Sequence, residues 1–172
     1  MKNNEVTKKG DFASKIYGYE LSLAELYEKG VLENLSETEL GILCLGLVFE
    51  PRKISVLPKL SRAAKSIKNI TDTVLANIEK SERKLKIRPF SKKYYFHLSP
   101  CLEAWIRNES FDNILRYTDS DEGEIIRYFR MGIQILRELM DTPCSAEFKE
   151  KALKLIHVIN RDIIDAEKQL RG

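Results

Sequence analysis

Glycine and proline are sparse in this 172-residue chain, 8 and 5 in all, so little in it interrupts a long helix. Cysteine is sparser still: Cys44, Cys101 and Cys144 stand far apart, form no CxxC pair and are odd in number. That pattern argues against a disulfide scaffold and fits buried thiols in a reducing, intracellular compartment. Neither charge sign dominates, because 29 basic side chains face 26 acidic ones for a net +3. So slight an excess permits nucleic-acid binding without arguing for it. The longest apolar run, Leu40 to Phe49, is too short to cross a bilayer, and the polar start Met1-Lys-Asn-Asn-Glu5 is no secretory signal. A cytoplasmic location with no membrane partner is expected.

The usual signatures of catalysis are missing as well. No GxxxxGKS/T loop and no GxGxxG is present to hold a nucleotide on backbone amides. His97 and His157 lie apart from each other and from cysteine, so no metal site is expected. No carboxylate pair is recognisable from spacing. No catalytic residue is assigned, and the chain by itself is not expected to be an enzyme.

What is present is helical periodicity. Hydrophobic residues at 43% and charged residues at 32% are an ordinary globular balance, and the length suits one domain with a real core. The spacing predicts an all-α, multi-helix bundle of roughly six to eight helices. A first short helix covers Val6 to Ile16, and a second, Tyr19 to Lys29, is stopped by Gly30. Ser36 and Glu39 form a capping box for an apolar, central helix, Glu37 to Phe49. Pro58 is read as the start of a long helix with Leu60, Ala64, Ile67, Val74 and Ile78 on its buried stripe. Ser99-Pro100 reads as an N-cap followed by the first helical position of a helix carrying Leu102, Trp105 and Ile106. Phe111 to Tyr117 is a short helix, and the next runs to about Met140 with Ile125, Phe129, Ile133 and Leu136 inward. Ser145 caps a last helix whose period, Phe148, Ala152, Leu155, Ile159, Ile163, Ala166 and Leu170, continues almost to the end. His157 falls on or beside that stripe and is read as a core or boundary histidine; Trp105 is read as core.

The stretch 111–127 carries the most information. Two helices meet there at a short acidic turn, and Glu122-Gly123 opens the second. Gly123 removes a side chain where a ligand can pass close to the backbone. One turn on comes Arg127, then Arg130; a guanidinium can hydrogen-bond a base edge or phosphate and can stack on a base. On spacing alone, the commoner outcome is an ion pair of Arg127 with Asp or Glu across the turn. Lys59, Arg62, Lys65 and Lys68 are further candidate phosphate contacts, although a solvated charged face is ordinary for an amphipathic helix. The run Lys80 to Lys93, interleaved with acids such as Glu82, is read the same way, as an exposed connection.

Glu122-Gly-Glu-Ile-Ile-Arg127, preceded by Trp105, Phe111 and Thr118, resembles the EG-x-IIR motif of the DSHCT family. That family is the C-terminal helical domain of superkiller-type DExH-box RNA helicases that feed the exosome, and of their bacterial relatives. Glu20-Leu-x-Leu-x-Glu25-Leu-x-x-x-Gly30-Val-Leu, Leu35-Ser-x-x-Glu39-Leu and Leu47-Val-Phe-Glu50 resemble its opening helices in order and spacing. Ile159-Asn-Arg161-Asp162-Ile163-Ile164 resembles its closing RDIV segment, so the likeness spans about Gly10 to Leu170. Thr7-x-x-Gly10-x-x-Ala13 resembles the junction that leaves a preceding winged-helix region. The resemblance implies one helical domain over 1–172, with 1–16 as the tail of that region.

It also implies a role: an accessory bundle that packs across the ATPase ring of a helicase and closes a channel over single-stranded RNA. The implied RNA-contacting residues are Arg127 first and Glu25 second, with Gly123 beside them and Arg130 either on phosphate or facing solvent. The implied partners are single-stranded RNA and the ATPase domains, in cis or in trans. ATP and magnesium are expected only in those motor domains, and no cofactor in this chain. Three departures stand out. Asn108 replaces the usual Gly after the Trp, at a left-handed turn that Asn tolerates next best. Gly132 lies inside a helix where relatives carry a larger residue. The motor is missing, so this chain cannot unwind RNA unaided.

Two readings from other classes compete. A helix-turn-helix DNA-binding protein would use Phe111 to Tyr117 to position a recognition helix, Glu124 to Met140; Asp121, Glu122 and Glu124 at its start repel phosphates. A stand-alone helical interaction module would bind only protein, and fold resemblance does not separate it from an RNA-contacting domain.

Overall fold

The computed structural model describes residues 5–52 and 55–166, and within them the chain forms nine α-helices. These are α1 Lys8–Ala13, α2 Glu20–Glu28, α3 Val31–Asn34, α4 Glu37–Val48, α5 Arg62–Leu85, α6 Ser99–Ile106, α7 Phe111–Ile114, α8 Glu122–Met140 and α9 Ala146–Ile159. Short 3-10 turns follow α7, at Leu115–Tyr117, and α9, at Asp162–Ile164. The protein is an all-α bundle, as the periodicity predicts. Among the described residues no helix is long and apolar enough to cross a membrane.

Small polar residues decide where most helices begin. Thr7, Ser36, Ser61, Ser110, Asp121 and Ser145 each accept a backbone N–H from the first turn that follows. Each such cap stabilises its helix by about 1 kcal/mol. At Ser36 the box is complete: its hydroxyl accepts from the Glu39 N–H while the Glu39 carboxylate accepts from the Ser36 N–H at 3.0 Å. The helix it opens is apolar on every side, and 40–49 are all buried. Helices α5, α6, α8 and α9 surround it.

Several boundaries differ from the sequence reading. The long helix begins at Arg62 rather than Pro58, because Ser61 caps Ala64 and also donates to the Glu103 carboxylate at 2.5 Å. Ser99 does not cap α6; its buried hydroxyl donates to the Phe96 carbonyl at 2.8 Å, and Leu98 occupies the cap position. Gly30, at φ +67°, ends α2 as expected but leads straight into α3. Asn108 does adopt the left-handed conformation, at φ +66°.

The largest difference is at the end of α9. The apolar period runs on, yet the helix stops at Ile159, and Ile164 rather than Ile163 is fully buried. The expected helical position Leu170 lies outside the described residues. Two arginines hold the corner. Arg161 lies 3.5 Å over the Trp105 ring and donates to the carbonyls of Trp105 and Glu109 at 3.0 and 2.9 Å. Arg130 donates to the carbonyls of Ile164 and Ile163 at 2.9 and 3.2 Å. Trp105 itself is fully buried and donates its indole N–H to the Ile159 carbonyl at 2.9 Å. His157, by contrast, is exposed on α9 and is not a core histidine.

Candidate nucleic-acid interface

The start of α8 is built by three segments. Asp121 caps the helix by accepting the Glu124 N–H at 2.8 Å. Arg52, in the connection that follows α4, reaches across to two of the four acids of this turn. It donates to Asp121 at 2.8 Å and to Glu124 at 2.9 Å. The helix-start N–H groups and Arg52 together hold the Asp121 carboxyl below its usual range, and the same acids raise Arg52. Gly123, exposed between them, leaves the backbone open.

Arg127 stands one turn further on and is exposed. The ion pair across the turn that spacing favours does not form; Arg52 holds Asp121 and Glu124 instead. Among the described residues Arg127 has no ion-pair partner; its guanidinium lies 4.5 Å from the centre of the Tyr128 ring. That ring is a fixed platform. Tyr128 is buried, donates to the Glu50 carbonyl at 3.3 Å and meets Phe49 edge-on at 4.8 Å. Met131 and Gln134 continue the exposed strip along α8 at helical spacing.

The other residues singled out from sequence are dispersed. Glu25, half-buried on α2, is ion-paired to Lys9 of α1, which also holds Glu28 at 2.6 Å. It lines a groove with Ile78, Leu85 and Ile87, and among the described residues no contact joins it to Arg127. Arg130 neither faces solvent freely nor waits for a phosphate, since the carbonyls after α9 hold it. Of the basic set, Lys59 precedes α5, Arg62 and Lys65 are exposed on its first turns, and Lys68 is ion-paired to Asp72. Arg52 and Tyr128 were not singled out from sequence. Arg52 acts on Glu124 across 72 residues, a separation with no local signal.

The helix-turn-helix geometry is absent from this region. α7 has four residues, and α8 buries Ile125, Phe129, Ile133 and Leu136 together with Tyr128, Ile135 and Leu139.

Comparison with known proteins is consistent along the whole fold. Residues 3–167 match the DSHCT (NUC185) domain. Similar proteins include mRNA transport homolog 4 of Caenorhabditis elegans, 27% identical over 154 residues, and ATP-dependent RNA helicase mtr4 of Schizosaccharomyces pombe, 25% over 164. Exosome RNA helicase MTR4 of Homo sapiens is 28% identical over 155 residues. These alignments cover 86%, 91% and 86% of this chain, which spans about 15% of the length of each relative. With all nine helices inside the match and the EG-x-IIR start of α8 in place, the chain belongs to the DSHCT domain family, the C-terminal helical domain of DExH-box RNA helicases.

Proposed function

We propose that this domain is the helical accessory part of an ATP-dependent RNA helicase, contacting single-stranded RNA along α8 and closing the strand's path over the ATPase domains. The observation that supports this reading is the state of Arg127. It is exposed, unpaired among the described residues, and seated on a ring that the core fixes in place. Such a guanidinium offers a fork of donors to a phosphate or base edge and a flat face for stacking. Arg52 keeps it available by occupying Asp121 and Glu124, which otherwise compete with a polyanion. The relatives named as RNA helicases favour RNA as that polyanion.

The ATPase domains, in the same chain or in a separate one, supply the nucleotide and magnesium chemistry; no residue of this domain is assigned a catalytic role. Three free, buried cysteines favour a reducing, cytoplasmic setting. The test is Arg127→Ala in the full chain, with labelled oligo(U) binding and thermal unfolding measured side by side. Losing one stacked or bidentate contact costs about 1–3 kcal/mol, so affinity falls roughly five- to 150-fold. Melting stays nearly unchanged, as for most exposed substitutions. A large fall in melting temperature with unaltered RNA affinity sinks the proposal.

A further inference from the structure

The run Arg83 to Lys93 holds six cations and no acid. The acids around it are all occupied in the fold. Glu79 pairs with Arg83, Asp72 with Lys68, and Glu50 with Lys92 at 2.9 Å. Glu82 is only 5% exposed and accepts the Ser91 N–H at 3.0 Å and its hydroxyl at 2.7 Å. Lys84, Lys86, Arg88 and Lys93 are exposed and have no acidic partner among the described residues.

Beside these cations a groove of about 390 Å³ runs between α5 and 90–97, with Phe90, Lys93, Tyr95 and His97 on one wall and Asp72, Glu79 and Glu82, each already paired or hydrogen-bonded, on the α5 wall. Phe90 is held by two guanidinium groups, Arg88 at 3.8 Å and Arg83 at 4.8 Å from the ring centre. His97 is 8% exposed, and its Nδ1 finds no hydrogen-bond partner among the described residues. An orphaned buried ring nitrogen is uncommon and calls for an explanation. A chain of ring contacts links the groove to the Arg127 platform: Tyr95 to His97 at 6.3 Å, His97 to Phe49 at 5.3 Å, and Phe49 to Tyr128 at 4.8 Å.

We propose that this groove is a second contact for the same RNA strand, with Arg88 and Lys93 taking phosphates and a nucleobase entering between Phe90, Tyr95 and His97. The proposal rests on the RNA reading of Arg127. A basic track beside aromatic walls is how single strands are held without sequence preference. The groove's volume lies within the range of small-ligand sites and admits one base. A duplex keeps its bases stacked inside and has none to offer. An acidic peptide matches the cations but leaves the aromatic walls and His97 without a purpose.

The test is the double variant Arg88→Glu with Lys93→Glu in the full chain, against oligo(U) of roughly 4 to 16 nucleotides at several salt concentrations. Short oligomers that reach only Arg127 bind as to the wild type, whereas long ones lose at least about tenfold. The slope of log affinity against log salt for long oligomers falls by about 1.4, from ~0.7 per phosphate on a single strand. Phe90→Ala weakens long oligomers by about tenfold while leaving that slope unchanged. Arg127→Ala weakens every length, so the two readings fail separately. An unchanged length profile and salt slope in the double variant overturns the groove while leaving Arg127 intact. Loss of polyglutamate binding with unaltered oligo(U) binding overturns it in favour of an acidic protein partner.

Discussion

Gly132 lies in the middle of α8, buried against the central helix, where a glycine weakens the helix. A methyl group placed on it meets Leu45 of α4 at 3.8 to 3.9 Å, ordinary van der Waals contact. Beside it is a void of about 10 Å³ lined by Gly41, Cys44, Leu102, Phe129 and Leu136, among others. Gly132→Ala therefore gains the helix preference of alanine, about 1 kcal/mol, without a clash. Burial of one methyl adds up to about 0.8 kcal/mol more. For a domain of this size the sum corresponds to a melting-temperature rise of roughly 2–7 °C. Gly46→Ala is the control, because its added methyl would lie 3.3 Å from the Tyr95 carbonyl oxygen and 3.3 Å from the Phe96 ring. The Tyr95 N–H is itself bonded to the Gly46 carbonyl at 2.8 Å, so that backbone cannot easily give way. Overpacking of this kind costs about 1–3 kcal/mol, which cancels or exceeds the same helix gain of about 1 kcal/mol at Gly46. Urea unfolding of both variants decides the matter. A lowered midpoint for Gly132→Ala, or a raised one for Gly46→Ala, refutes the packing argument between α4, α8 and the 92–97 segment.

Three further outcomes are expected. Arg52→Ala releases Glu124, three residues before Arg127, to pair with it, and oligo(U) affinity falls roughly twofold, the worth of one such pair; adding Glu124→Gln restores the affinity, and failure to restore it refutes the shielding role. Arg161→Ala removes the stack on Trp105 and strands two carbonyls, lowering stability by about 2–4 kcal/mol, and Arg161→Lys does not recover it because an ammonium lacks the planar fork; full recovery by lysine in a denaturant titration argues against that geometry. Burial holds the His97 ring below its ordinary value of 6.5, with Asp119 opposing. As pH falls the unfolded chain binds the proton first, so this contribution is complete above about 6.5 and shrinks below it. The drop in urea midpoint on acidification should be smaller in His97→Gln, and an equal drop in both proteins counts against the assignment.

Much of the fold was legible because local chemistry and tertiary need agree. Ser36 with Glu39, Ser145, and the apolar period from Ile125 to Leu136 act over one or two helical turns, and the helices appear where those signals stand. Asn108 was legible as a left-handed position from the resemblance, which places it where the family usually has Gly. The misplaced boundaries are those where two local signals compete. Pro58 and Ser61 both mark a helix start, and Ser61 prevails because its hydroxyl also reaches Glu103, 42 residues away. The period through Ile163 predicts a longer α9, but ending the helix lets Arg161 close on Trp105 and Glu109.

Periodicity, capping and contiguous pattern suffice for the all-α class, the central helix, the bounds of α8 and the motif that carries Arg127. The state of those side chains follows from contacts made in space. Among the described residues Arg127 has no ion-pair partner while an arginine far away in the chain holds Asp121 and Glu124, and Arg130 is occupied because the turn after α9 presents carbonyls to it. Ion pairs and buried hydrogen bonds act over a few ångströms in space, whatever the distance along the chain, and spacing within one segment does not record them.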